Sequence, residues 1–344
     1  MEPFLQIESE KLTRSWTRHE PTMLRDYMVS GVEDPRINLQ SIFSRHFLLY
    51  GLGLERFSTL MDHEYRFSAV MNWLLDNAGQ VADATELENI LHALKLRADN
   101  AEGLMIPRFV VQTFASLPTG VNDVTVPNYI ETFLSECPTG KAEPRRLSLD
   151  TFCHLWNNIL TPESSRFTFH VSRLHSALEP ACGSANDYRF LERYGISRLL
   201  DYSGFDLCPA NIENARALFP DVHFETGNVF EIPAADKSFD LCFTHDLLEH
   251  ISLAGLEVAI SEICRVTRRG ICVGFFNMDE IPEHREQPVE EYHWNNLSMT
   301  RIRESFEKNG FLAQVRHVGT FLRQRVGCDQ THNPNAYTFI LTPA

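Results

Sequence analysis

The sequence has no secretory start, no membrane-spanning run, no metal-ligand pattern and no excess of positive charge. Its opening, MEPFLQIESEKLTR, carries charges throughout and no apolar h-region, which argues against a secretory signal. No uninterrupted apolar run reaches spanning length, so no membrane partner is expected. None of the eight cysteines forms a C-x-x-C pair, and several lie in apolar runs such as LCFTH and ICVGFF. They read as buried reduced thiols of a cytoplasmic protein, and no metal is expected. With 31 Lys and Arg against 46 Asp and Glu, the formal charge is −15. That balance counts against DNA, because binding phosphates needs a basic face. Internal repeats and low-complexity tracts are also absent.

What is present divides near Pro138–Arg146, where PTGKAEPRR concentrates turn formers and charge. Residues 1–146 read as a mostly helical N-terminal domain. Thr85 and Glu88 form a capping-box pair ahead of Leu87, Ile90, Leu91 and Leu94 on one face of a helix over Asp83–Asn100. Leu54–Asn77 is apolar at helical spacing, Pro107 suits a first helical turn, and Tyr129–Leu134 adds a short helix. The aromatic and methionine stripes of this part read as helix-packing core.

Residues 147–344 form the second unit. A helix over Leu147–Leu160 leads to an alternation of strands and helices from Leu174 onward, the signature of a parallel α/β sheet. Strands are expected around Ala177, then over Leu199–Asp206, Val222–Thr226, Asp240–Thr244, Gly270–Phe276, Phe311–His317 and Ala336–Thr342. Ligands of open α/β sheets bind beyond the carboxyl ends of the strands. That rim collects Glu179 and the small-residue turn PACGSA, Asp206, Asn228 and the run His245–His250. An acid at Asp206 can accept both hydroxyls of an adenosine ribose. Asn228 and the N–H of Val229 can meet an adenine edge.

Four spaced segments, LEPACGSAND, YSGFDLCPANIENAR, FETGNVFEIP and FDLCFTHDLLEHI, resemble the class I S-adenosylmethionine-dependent methyltransferases. The resemblance covers Leu174–Pro343 and implies a seven-stranded Rossmann-like sheet with an antiparallel last strand. It implies S-adenosylmethionine as cofactor. Glu179 would organise the loop and the methionine amino end, and Ala181, Gly183 and Ala185 would let backbone lie against methionine and ribose. Asp206 would bind the ribose hydroxyls, Leu207 would pack on adenine, Asn228 and Val229 would contact its edge, and His245 and Asp246 would sit beside the methionine moiety and the acceptor.

The chain departs from the family at Ala181 and Ala185, where glycine is usual, and at Asn228, where aspartate is commoner. An alanine in that loop needs φ < 0 or a slightly wider turn. Adenine-N6 DNA methyltransferases open similarly, but their Asn/Asp-Pro-Pro-aromatic run is here His245-Asp246-Leu247-Leu248.

The implied activity is methyl transfer to an O or N atom of a small-molecule metabolite, with the N-terminal helices capping the acceptor or forming a homodimer. Methylation of a protein or RNA, and a non-catalytic partner subunit of the same fold, are the alternatives. His245, His250 and His293 are the candidate bases, His245 being nearest the strand end. Tyr292 and His293 stand where the family often places acceptor contacts, and Arg166 and His170 could close over the methionine carboxylate. Glu283, His284 and Glu286 read as a solvated charge run.

Overall fold

A computed structural model describes residues 1–30, 39–51, 65, 89–90, 92–94, 96–101, 103–116, 175–193, 195–327 and 333–344. Its centre is one seven-stranded sheet: β1 (His175–Pro180), β2 (Leu200–Asp206), β3 (His223–Thr226), β4 (Phe239–His245), β5 (Thr267–Phe275), β6 (Phe311–His317) and β7 (Tyr337–Pro343). The spatial order is β6-β7-β5-β4-β1-β2-β3. β7 runs antiparallel to both β5 and β6, and the pairings β5–β4, β4–β1, β1–β2 and β2–β3 are parallel. This is the expected seven-stranded Rossmann-like sheet with an antiparallel last strand. The strand order reverses between β1 and β4, which opens a crevice at their carboxyl ends.

Alternation along the strands gives each face its own core. Leu241 and Phe243 of β4 join one apolar cluster, while Cys242 between them joins the other. Helix α7 (Leu253–Val266) covers the second face with Leu256, Ala259, Ile260 and Ile263, all fully buried. Its start is fixed by Ser252, whose Oγ accepts the Gly255 N–H at 3.0 Å. Helix α8 (Met299–Lys308) is capped in the same way by Ser298. Helices α5 (Asn186–Arg193) and α6 (Pro209–Leu218) follow β1 and β2. α5 is followed by Gly195 in the left-handed conformation, at φ +71°.

Before the sheet come α1 (Pro3–Thr17), α2 (Pro21–Ser30), α3 (Leu39–Gly51) and α4 (Arg108–Ser116). α3 lies directly on β5 and β4, where two glycines of β5 make room for it. A Cβ at Gly270 would meet the Phe47 ring at 3.1 Å, and one at Gly274 would meet the Gln40 Cβ at the same distance. α1 contributes Leu5 and Leu12 to the opposite cluster. Elements from before residue 146 therefore pack on the sheet itself. The expected boundary, the linker, and the helices over Leu54–Asn77 (Tyr65 apart), Tyr129–Leu134 and Leu147–Leu160 lie outside the described residues.

The sequence pattern leads from Phe311–His317 to the last strand with no helix expected between them. The structure places α9 (Val318–Val326) there, begun by His317, whose Nδ1 accepts the Thr320 N–H, and closed by Gly327 at φ +73°. No helix among the described residues is long and apolar enough to cross a membrane.

Candidate functional site

The turn after β1 forms one wall of the crevice. The expectation that its alanines avoid positive φ is overturned. Ala181, Gly183 and Ala185 stand at +56°, +54° and +62°. The left-handed region costs a non-glycine residue roughly 1–2 kcal/mol, because Cβ crowds the following carbonyl oxygen. The neighbouring strand holds the turn in this shape. Cys182 N–H donates to the Phe205 carbonyl at 3.0 Å, and Gly183 N–H donates to Asp206 Oδ2 at 3.0 Å. The alanines thus keep a glycine-like backbone and leave the amides turned toward β2.

Asp206 ends β2 and is buried. Burial pushes its carboxyl up from the usual value, opposed by the bonds it accepts from Cys208, Asn211 and Gly183. Oδ1 takes both the Cys208 N–H (2.8 Å) and the Asn211 amide (3.1 Å), whereas Oδ2 takes only the Gly183 N–H. One acceptor position therefore stays open on Oδ2. Asn228 is differently engaged. Its Oδ1 accepts the Phe230 N–H at 2.9 Å, and its amide donates to Ser9 Oγ of α1 at 2.7 Å. Val229 beside it is buried.

Three histidines were singled out in the sequence, and they differ in what their nitrogens meet. His250 donates through Nε2 to Asp246 at 2.9 Å, and its Nδ1 lies 3.1 Å from the His293 carbonyl. Burial resists its charge, but Asp246 lifts its pKa to about 9. His293 points Nε2 toward Glu286 at 3.6 Å and is not among the residues around the crevice. His245 ends β4 and donates Nε2–H to Asp187 Oδ2 at 2.8 Å. Its Nδ1 is buried, with no partner among the described residues. Burial again resists the charge, and Asp187, then Glu179 and Asp246, raise its pKa to about 9. Glu179 in turn accepts the Tyr202 O–H, and burial followed by Asp187 holds its carboxyl well above the usual range.

These groups enclose a cavity of about 140 Å³, lined on the sheet side by Glu179, Ala181, Gly183, Asp206, Leu207 and His245. Asn228, Val229 and His293 do not line it. Its outer wall is Leu12 and Trp16 of α1 with Leu24 of α2. α1 is fastened across the mouth. Glu8 accepts both the N–H and the Oγ–H of Ser252 at 2.6 Å, and Arg14 and Arg18 reach Glu291 at 3.3 and 2.9 Å. Small-molecule pockets commonly span about 300–1,000 Å³, so α1 narrows this one.

Asp187, Ser41, Arg45, Asn211 and the α1 residues were missed by reading the sequence. Ser41 and Arg45, polar positions one helical turn apart in the helical segment SIFSRHFLLY, were the available signal. Glu283 pairs with Arg301, and His284 accepts the Ser298 N–H. Arg166 and His170 lie outside the described residues.

Residues 178–273 match a family described as a methyltransferase domain. The chain is similar to a curated protein of Mycolicibacterium smegmatis named "Probable S-adenosylmethionine-dependent methyltransferase", 29% identical over 140 residues, which is 39% of this chain and 51% of the relative. It is also similar to a malonyl-[acyl-carrier protein] O-methyltransferase of Serratia marcescens, 26% identical over 168 residues, 45% of this chain and 64% of the relative. The matched stretches thus span about half to under two thirds of these relatives. Among solved structures, the PH0226 protein of Pyrococcus horikoshii OT3 superposes with a TM-score of 0.39 at 17% identity, over 57% of this chain and 92% of that one.

Proposed function

The chain carries a class I S-adenosylmethionine-dependent methyltransferase domain, and from that premise we propose that it methylates an oxygen or nitrogen atom of a small-molecule acceptor. The observation that carries this reading is the open acceptor position on Asp206 Oδ2, facing a loop whose alanines hold a glycine backbone at the switch point. That arrangement fits a ribose hydroxyl at Asp206, apolar contact from Leu207, and the donor's amino-acid end along Glu179, Ala181 and Gly183 toward His245. Asn228 and Val229 stand at the adenine end, where the Ser9 hydroxyl must yield the Asn228 amide before it can serve a base.

When bound, the donor supplies a methyl group already activated by its sulfonium. The chain's own task is to align an in-line displacement and exclude water, and orientation of this kind supplies on the order of 7–11 kcal/mol in favourable cases. Leu12, Trp16, Leu24 and Leu247 make the acceptor side apolar and enclosed, which suits a small molecule better than a polymer. His245 and His250 line the cavity and His293 does not; of the two that do, His245 keeps a ring nitrogen, Nδ1, without a partner among the described residues, whereas both nitrogens of His250 are engaged.

The test is to incubate the protein with methyl-labelled S-adenosylmethionine and a metabolite extract, then search by mass spectrometry for labelled products. A labelled small molecule formed by the wild type and not by Asp206→Ala supports the reading. Label found only in protein or RNA contradicts the small-molecule assignment.

A further inference from the structure

The polar residues of α3 point to a second part of the site. Arg45 is 1% exposed, and a buried guanidinium is costly unless it is bonded. Its Nη1 donates to Ser41 Oγ at 2.7 Å, and Ser41 passes its own O–H to Asp187 Oδ1. Asp187 Oδ2 receives Nε2–H of His245. The four side chains form one line from α3, through the first turn of α5, to the end of β4. It ends at the buried, unpartnered Nδ1 of a side chain that lines the cavity.

We propose that Asp187, held in place by Ser41 and Arg45, is a positioning residue that keeps His245 as an imidazolium, so that its Nδ1–H meets the carboxylate of the donor's amino-acid end. The proposal rests on the donor-site reading above. The sheet order supports it. β4 flanks β1 on the side opposite β2, so a ligand anchored at Asp206 and laid across the β1 loop brings its far end to His245.

The charges around His245 agree. Asp187 faces it from α5, Glu179 from β1 and Asp246 from the next position, with the Arg45 cation beyond Ser41. Burial opposes protonation, and the acids outweigh it. Gly274 of β5 makes room for the His245 side chain, since a Cβ there would meet the His245 Cβ at 2.8 Å. An imidazolium has no lone pair to accept a proton, so this assignment replaces the expected role of His245 as a base near neutral pH.

The experiment uses the full chain labelled with ¹⁵N-histidine, the imidazole signals of His245 being assigned with His245→Gln. Both ring nitrogens of the wild type should be protonated at pH 7.5. In Asp187→Asn the transition should fall by at least one pH unit, whereas Ser41→Ala and Arg45→Met, which keep the Asp187 charge, should not lower it but should weaken the Asp187–His245 contact and broaden the signal of the proton on Nε2. Ser41→Ala, which removes a single hydroxyl, keeps the test available where Arg45→Met does not fold.

Calorimetry supplies the ligand arm. At pH 8, Asp187→Asn should weaken S-adenosylhomocysteine about tenfold and recover toward wild type at pH 6, where His245 regains its proton. 5′-Methylthioadenosine, which has no amino-acid end, should change less than twofold. A neutral His245 in the wild type at pH 7.5, or equal losses for the two ligands, overturns the proposal. A wild type that binds neither ligand overturns the donor site itself and the carboxylate assignment with it, a result distinct from binding with equal losses.

Discussion

Replacing Ala181 by glycine should stabilise this protein, whereas the same change at Ala185 should not. Both residues occupy the left-handed region, at φ +56° and +62°. Glycine removes the Cβ clash, worth roughly 1–2 kcal/mol. It also adds freedom to the unfolded chain, which opposes the gain by about 0.4–1 kcal/mol. Ala181 is only partly buried, so little packing is lost and the net gain should be about 0.5–1 kcal/mol, consistent with these two terms. Ala185 is fully buried within an apolar cluster. Losing its methyl group removes about 0.8 kcal/mol of burial, which brings the net change near zero.

Differential scanning calorimetry reads the difference. Ala181→Gly should raise Tm by about 1 °C for a chain of this size, and Ala185→Gly should leave it within about 0.5 °C. Because the backbone is already glycine-like, neither variant should bind S-adenosylmethionine more weakly. A fall in Tm for Ala181→Gly of several degrees would refute the reasoning, since it would mean that the loop holds its alanine at negative φ.

The remaining predictions concern packing, the mouth of the cavity and pH. Ile260→Ala should cost about 2–5 kcal/mol in urea denaturation, because the side chain is fully buried between α7 and the sheet. Replacing Arg14 and Arg18 together by glutamine should alter stability by less than about 1 kcal/mol, these being exposed pairs with Glu291. The same double change should speed ligand association in stopped flow at low salt, since α1 is fastened across the mouth. For His245 the folded-state pKa of about 9 lies above its ordinary value of 6.5. Its contribution to stability is therefore complete below pH 6.5 and is lost as pH rises through 9. Unfolding measured across that window should show a decline that Asp187→Asn flattens.

Much of the sheet was readable because its strands are short apolar runs bounded by turn formers. Asp206 ends its strand where the sequence placed it, and Phe311–His317 has the expected bounds. β5 starts three residues earlier than expected, at Thr267, because the polar stretch Thr267-Arg268-Arg269 looks like a loop until Arg268 is seen paired with Asp240. α9 was hidden because His317 is an unusual cap and its helix follows β6 with no turn between them. In the site, Glu179, Ala181, Gly183, Asp206, Leu207 and His245 could be gathered from the ends of strands. Ser41, Arg45 and Ser9 could not, since their roles depend on which helix covers which part of the sheet. That placement follows from the room at Gly270 and Gly274 and from the Glu8 contact with Ser252, which join residues more than two hundred positions apart.

A methyl-donor site at the carboxyl ends of β1 and β2 can be measured by calorimetric titration of S-adenosylmethionine into the wild type and Asp206→Ala. Saturable one-site binding by the wild type, lost in the variant while its Tm stays within a few degrees, is the predicted result. No binding to the wild type at millimolar donor, or equal affinity in the variant, would contradict it.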